Sequence, residues 1–102
     1  LGAAQLARAC EPQSRGPDAV IFRETCFGLG YSLQPMVAPG AGPRSYGHPG
    51  AGGALAFADP DAGIGFSYIT NTMQFDLSGD PRSPALISAM YACLAHRESG
   101  PQ

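Results

Sequence analysis

The one stretch of this sequence built for chemistry is Ser45-Tyr46-Gly47-His48-Pro49-Gly50-Ala51-Gly52-Gly53. A single imidazole stands there among residues with little or no side chain. Glycines let a ligand approach the backbone closely and accept φ > 0, so unpaired N–H groups can face a bound oxygen. Histidine donates a hydrogen bond or moves a proton near neutral pH. The bland alternative is a Gly-rich turn that merely happens to neighbour a histidine, and these residues alone do not separate the two readings.

Other chemistries are excluded by count and spacing. All six basic residues are arginines (Arg8, Arg15, Arg23, Arg44, Arg82, Arg97), so the chain holds no P-loop, no Schiff-base lysine and no Ser-x-x-Lys nucleophile. Gly40-x-Gly42 and Gly50-x-Gly52 lack the third glycine of a dinucleotide fingerprint, because Ser45 and Leu55 occupy those places. Ser67 follows Gly65 by two residues, but Ile69 stands where a nucleophile elbow needs its second glycine. Cys10, Cys26 and Cys93 with His48 and His96 make neither a disulfide framework nor a zinc pattern. They read as reduced, buried or half-buried thiols, which points to a reducing compartment. No cofactor and no metal is expected. Asp59 and Asp61 flank Pro60 and read as solvated turn formers, and Arg82 beside Asp80 as a surface charge.

The 102 residues carry a formal charge of −2 with 14% charged residues, which leaves no basic stripe for nucleic acid. No apolar run approaches the roughly 20 residues that span a bilayer, and Leu1 to Cys10 is not a signal peptide. At 44% hydrophobic the chain is too apolar for general disorder. Its length fits one small domain or a piece of a larger one, and a start at Leu is read as a truncation.

Three strands and two helices must position the site. Leu1 to Ala9 is rich in helix formers, and Pro12 to Asp18 reads as a loop. Ala19 to Phe22 reads as a short extended piece. Thr25 to Leu33 alternates with Phe27, Leu29, Tyr31 and Leu33 on one face, a strand signal. Pro35 to Arg44 reads as a surface loop. After the Gly-rich turn at 47–53, Ala54–Ala58 and Ile64–Thr70 form a hairpin across Asp59-Pro60-Asp61-Ala62-Gly63. A polar link from Gln74 to Arg82 leads to Ser83 as N-cap and Pro84 at the first helical position, opening a helix to about His96. Leu86, Ile87, Met90, Cys93 and Leu94 fall on its apolar stripe. Each strand has a bulky face and a face of Gly, Ala or Ser, and the helix is expected against the small-residue face. The fold class is therefore α+β: a three-stranded antiparallel sheet with a C-terminal helix packed on it, weakly stable alone and cut from a larger structure.

The run from Phe27 to Met73 resembles the C-terminal part of the serine β-lactamase-fold hydrolases, in particular class C-like carboxylesterases and penicillin-binding-protein-like proteins. The matching pieces are Phe27-Gly28-Leu29-Gly30-Tyr31, Tyr46 to Gly53, Leu55 to Gly63 and Thr70-Asn71-Thr72-Met73. The stretch Pro12 to Asp18 and the helix after Pro81 also resemble the family. The likeness implies that residues 1–102 are the C-terminal part of a single β-lactamase-related domain. It implies acyl transfer on a small-molecule ester or amide, with a serine of Ser-x-x-Lys attacking the carbonyl and a tyrosine of Tyr-x-Asn assisting.

The resemblance makes His48-Pro49-Gly50 the third element, with His in place of the more familiar Lys. The backbone N–H of Ala51 would be half of the oxyanion hole, Gly50 would leave room for the acyl group, and Tyr46 and Pro49 would meet substrate. Pro49, lacking an N–H, favours an ester over a β-lactam. The Ser-x-x-Lys is absent, and so is Tyr-x-Asn, since Leu33, His48, Thr70 and Cys93 follow the four tyrosines at that spacing. Nucleophile and base would belong to sequence N-terminal to Leu1, and this chain would be inactive alone. The alternative from another class is a non-catalytic binding or assembly module that keeps the fold. A Ser-x-x-Lys and a Tyr-x-Asn upstream would decide for the enzyme.

Overall fold

The computed structural model describes residues 1–75 and 80–100. Its six strands form one antiparallel meander, each pairing with the next in chain order: β1 (Ser14–Pro17), β2 (Glu24–Phe27), β3 (Ser32–Leu33), β4 (Tyr46–Pro49), β5 (Leu55–Asp59) and β6 (Ile64–Tyr68). Helix α1 (Ala3–Ala9) precedes the sheet and helix α2 (Arg82–Glu98) follows it. The α+β class is as expected, but six strands stand where three were read.

The additional strands have separate physical causes. The alternating run 25–33 is not one strand but the tight connection of two. Gly28 N–H donates to the Tyr31 carbonyl at 2.9 Å, Gly30 has φ +88°, and Phe27 pairs with Ser32. The turn also docks on the end of α1, where Leu29 N–H donates to the Ala9 carbonyl at 2.9 Å. Residues 14–17, expected as loop, pair with β2 from Ser14↔Phe27 to Pro17↔Glu24. That strand is at the sheet edge, where a proline's missing N–H is tolerated. Ala19 to Phe22 is a turn rather than an extended piece, organised by Asp18, whose Oδ1 accepts from the N–H groups of Val20 and Ile21. Half of the expected Gly-rich turn is strand β4. Gly47 sits there because a Cβ would come within 2.6 Å of Phe57 Cα on β5.

The β5–β6 hairpin forms as its turn chemistry predicts, with Phe57↔Phe66 and Asp59↔Ile64 in register. Helix α2 begins one residue before the expected Ser83 cap. Asp80 Oδ1 accepts from the Arg82 N–H at 3.0 Å, and Pro84 falls in the first turn, where its missing N–H costs no helical bond. Part of the Gln74–Arg82 link lies outside the described residues.

The helix covers the bulky face of the sheet, not the small-residue face. Leu55 and Phe57 are buried with Ile87 of α2, and Phe66, Met90 and Tyr91 pack around them. Covering leucine and phenylalanine removes far more apolar area from water, at about 25 cal/mol per Å², than covering Ala56, Gly65 and Ser67 would. The buried stripe of α2 is accordingly shifted: Ser83, Ile87, Met90, Tyr91 and Leu94 face inward or sit half-buried, while Leu86 and Cys93 are exposed. The loop 35–44 supplies the rest of the cover instead of lying on the surface. Gln34 holds it folded, donating to the carbonyls of Ala38, Ala41 and Gly42 and accepting from the Ala38 N–H, so that Val37 and Ala38 enter the core. The opposite face, with Ala56, Gly65 and Ser67, is open.

Candidate functional site

Strand β4 carries the candidate residues to the point where the chain leaves the sheet. Register sets His48 opposite Ala56, which is opposite Ser67, so the imidazole stands in a row of small residues on the open face. It is exposed, and its ring stacks on Phe27 at 6.4 Å between centroids. His48 Nδ1 lies 2.5 Å from the Pro49 carbonyl oxygen. A carbonyl can only accept, so Nδ1 is the donor in this contact, and Nε2 is the nitrogen left to face a ligand.

Beyond Pro49 the chain makes one 3₁₀ turn, Ala51–Gly53, before entering β5. Gly50 is extended (φ −116°, ψ 158°), and its N–H donates to the Ala54 carbonyl at 2.7 Å. Gly52 is buried with φ +84°, and a Cβ there would sit 2.8 Å from Met73 Cε. Between these two fixed points the Ala51 N–H has no acceptor among the described residues, and Ala51 is exposed.

Of the five residues singled out in the sequence, Pro49, Gly50 and Ala51 come together along one open depression of about 890 Å³. Gly52 to Leu55, Val37, Met36 and the start of α2 line it too, with Ile21 and Phe75 contributing exposed apolar surface. His48 does not line this depression; it faces the other side of the strand. Tyr46 is placed elsewhere again, packed edge-on against Tyr31 at 5.0 Å and lining a second cavity of about 550 Å³ with Leu6, Cys10 and Leu33. Cys26 is buried and Cys93 exposed, so the thiols do not share one environment. Among the described residues no three His, Cys, Asp or Glu side chains converge as metal ligands, and no helix is long and apolar enough to cross a membrane.

Two charged groups differ from their sequence reading. Asp59 is not solvated: it is 2% exposed and closes its own turn, Oδ1 accepting from Asp61 and Ala62 N–H and Oδ2 from the Tyr91 hydroxyl at 2.5 Å. Burial works to raise its pKa, but the Tyr91 hydroxyl and the N–H groups of Ala62, Asp61 and Gly42 outweigh it and hold the carboxyl below its ordinary range. Burial, then the hydrogen bond to Asp59, raises the Tyr91 phenol. Arg82 is likewise no surface charge. Its guanidinium grips Asp80 through Nε and Nη2, at 3.0 and 2.6 Å, and donates to the carbonyls of Thr72 at 2.7 Å and Gly52 at 3.0 Å. That contact holds the Asp80 carboxyl below its usual range.

Residues 1–89 match the family model described as β-lactamase. The chain belongs to the β-lactamase family. Solved structures agree with it over most of its length. It is 33% identical to a family VIII carboxylesterase, with a TM-score of 0.83 over 91% of this chain and 25% of that one. It is 39% identical to a novel penicillin-binding protein homologue from Caulobacter crescentus, with a TM-score of 0.78 over 87% of this chain and 24% of that one. EstA from Arthrobacter nitroguajacolicus Rue61a is 30% identical, with a TM-score of 0.81 over 94% of this chain and 26% of EstA. No curated protein matches in sequence. The β-lactamase-family chain thus spans about a quarter of the length of these structures, as a segment of a serine β-lactamase-fold hydrolase relative.

The residues that sequence reasoning missed at this site are Arg82 and Asp80, which hold the 51–53 turn between β4 and β5. The only local signal was the pair Gly52-Gly53. Two adjacent glycines after a candidate donor mark a backbone whose shape something else must fix.

Proposed function

We propose that this segment is the C-terminal, sheet-side wall of a single β-lactamase-related domain whose full-length protein is a serine hydrolase acting on a small ester through an acyl-enzyme. In this reading the Ala51 N–H is one of two oxyanion donors. Gly50 gives the acyl group room, and Pro49 lies towards substrate; Tyr46, on the second cavity, has no part in it. The His48 Nε2 lone pair accepts a proton during transfer. The segment supplies no nucleophile and is inactive alone.

One observation carries the reading: an exposed backbone donor at Ala51 that nothing among the described residues uses, three positions after a histidine with one nitrogen free. A donor fixed before reaction begins is what acyl transfer needs, because it acts on charge that develops in the transition state. The identity of 33% to a family VIII carboxylesterase supports an ester in preference to a β-lactam.

The test uses the full-length protein. Fluorophosphonate should label one serine, and His48→Ala should lower kcat/KM for p-nitrophenyl esters by roughly 10²–10⁴, the range for an acid–base group, with the fold intact. Unchanged turnover would remove His48 from the mechanism. Absence of labelling would leave a binding or assembly role.

A further inference from the structure

We infer that Arg82, held by Asp80, is a positioning residue that sets the direction of the Ala51 N–H from outside the site. This rests on the oxyanion role proposed above. The Gly52 carbonyl accepts from Arg82 Nη2 at 3.0 Å and from the Gln74 N–H at 3.1 Å, with Thr70 Oγ1 at 3.5 Å. Gly50, on the other side of Ala51, is tied to Ala54 at 2.7 Å. The Ala51 N–H therefore lies between two anchored peptides, and only one of the anchors is part of the strand pairing.

The guanidinium is suited to the other anchor in a way that an ammonium is not. Nε and Nη2 form a fork on the Asp80 carboxylate. The second Nη2 hydrogen reaches Gly52 and Nη1 reaches Thr72, so one rigid plane joins three segments of chain. The pair is shielded, with side chains 24% and 11% exposed. The turn is also shaped around it: a Cβ on Gly53 would collide with the Asp80 carboxylate and come within 2.8 Å of Arg82 Nη2. Arg82 touches neither His48 nor Ala51, so any effect on the reaction passes through the turn.

Arg82→Lys in the full-length protein keeps the charge and removes the fork. It should lower ester kcat about 10–100-fold, the scale of a small misplacement of a catalytic group, with KM shifted less than about threefold. Amide hydrogen exchange at Gly53 and Gln74, whose N–H groups donate to the carbonyls of Gly50 and Gly52, should quicken while β5 and β6 keep their protection, and Asp80→Asn should shift both readouts the same way by less. In Arg82→Ala, added guanidinium ion should restore part of kcat. Wild-type exchange at Gly53 and Gln74 in Arg82→Lys, or a KM effect without a kcat effect, would overturn the inference. If the unmodified protein neither labels with fluorophosphonate nor hydrolyses esters, the oxyanion reading fails, and the exchange measurement still decides whether Arg82 orders the turn.

Discussion

Helix α2 is fastened to strand β5 at both ends by an aspartate network, and the two networks end differently. At the far end, Asp59 is buried, and its partners are N–H groups of its own turn, the Gly42 N–H and the Tyr91 hydroxyl, which also accepts from Gly42 at 3.0 Å. At the near end, Arg82, whose guanidinium also donates to Asp80, donates to the carbonyls of Gly52 and Thr72, and the neighbouring Ala51 N–H has no acceptor among the described residues and is exposed. The same chemistry of a carboxylate and a planar or hydroxyl donor thus closes one end of the strand and presents a donor at the other. The far end holds the fold; the near end holds a direction.

Four substitutions break this comparison, in decreasing order of expected effect on stability. Ile87→Ala empties the contact between helix and sheet that both networks frame and should cost about 2–5 kcal/mol by chemical denaturation. Tyr91→Phe strands the Asp59 carboxylate and should cost about 1.5–3 kcal/mol, the value of a hydrogen bond to a charged group. The sign with pH follows from the lowered Asp59 pKa. Its stabilisation is complete above the unfolded carboxyl value of about 3.9 and is withdrawn as pH falls through the lower folded value. Tyr91→Phe should therefore lose less stability on acidification through that window than wild type does. Arg44→Ala removes an ion pair with Asp61 whose side chains are 67% and 52% exposed, and should cost less than about 1 kcal/mol. The fourth change, at Ala51, should leave stability nearly untouched and is taken up last.

What could be read from the sequence was what is local in the chain. The β5–β6 hairpin and helix α2 announce themselves through alternation, turn residues and helical periodicity, and both form. Strands β1 to β3 are two to four residues long and owe their existence to neighbours, so Gly28 to Tyr31 imitates a strand while making a turn. The side of the sheet that α2 covers was misread because small residues were taken to require a neighbour, whereas large ones gain more from one. At the site, the stretch around His48 stood out by composition. Arg82 did not, because its carbonyl partners lie 10 and 30 residues away in sequence. Long-range donors of that kind leave no spacing to recognise.

The most direct test is Ala51→Pro in the full-length protein. Proline at the first position of a short helix forfeits no helical bond, and Gly50 already has the extended backbone that a residue before proline prefers. The substitution removes the N–H and little else. Removing one oxyanion donor should lower ester kcat by about 10²–10³ with near-normal stability and KM. Wild-type kcat in a folded Ala51→Pro protein would contradict the account.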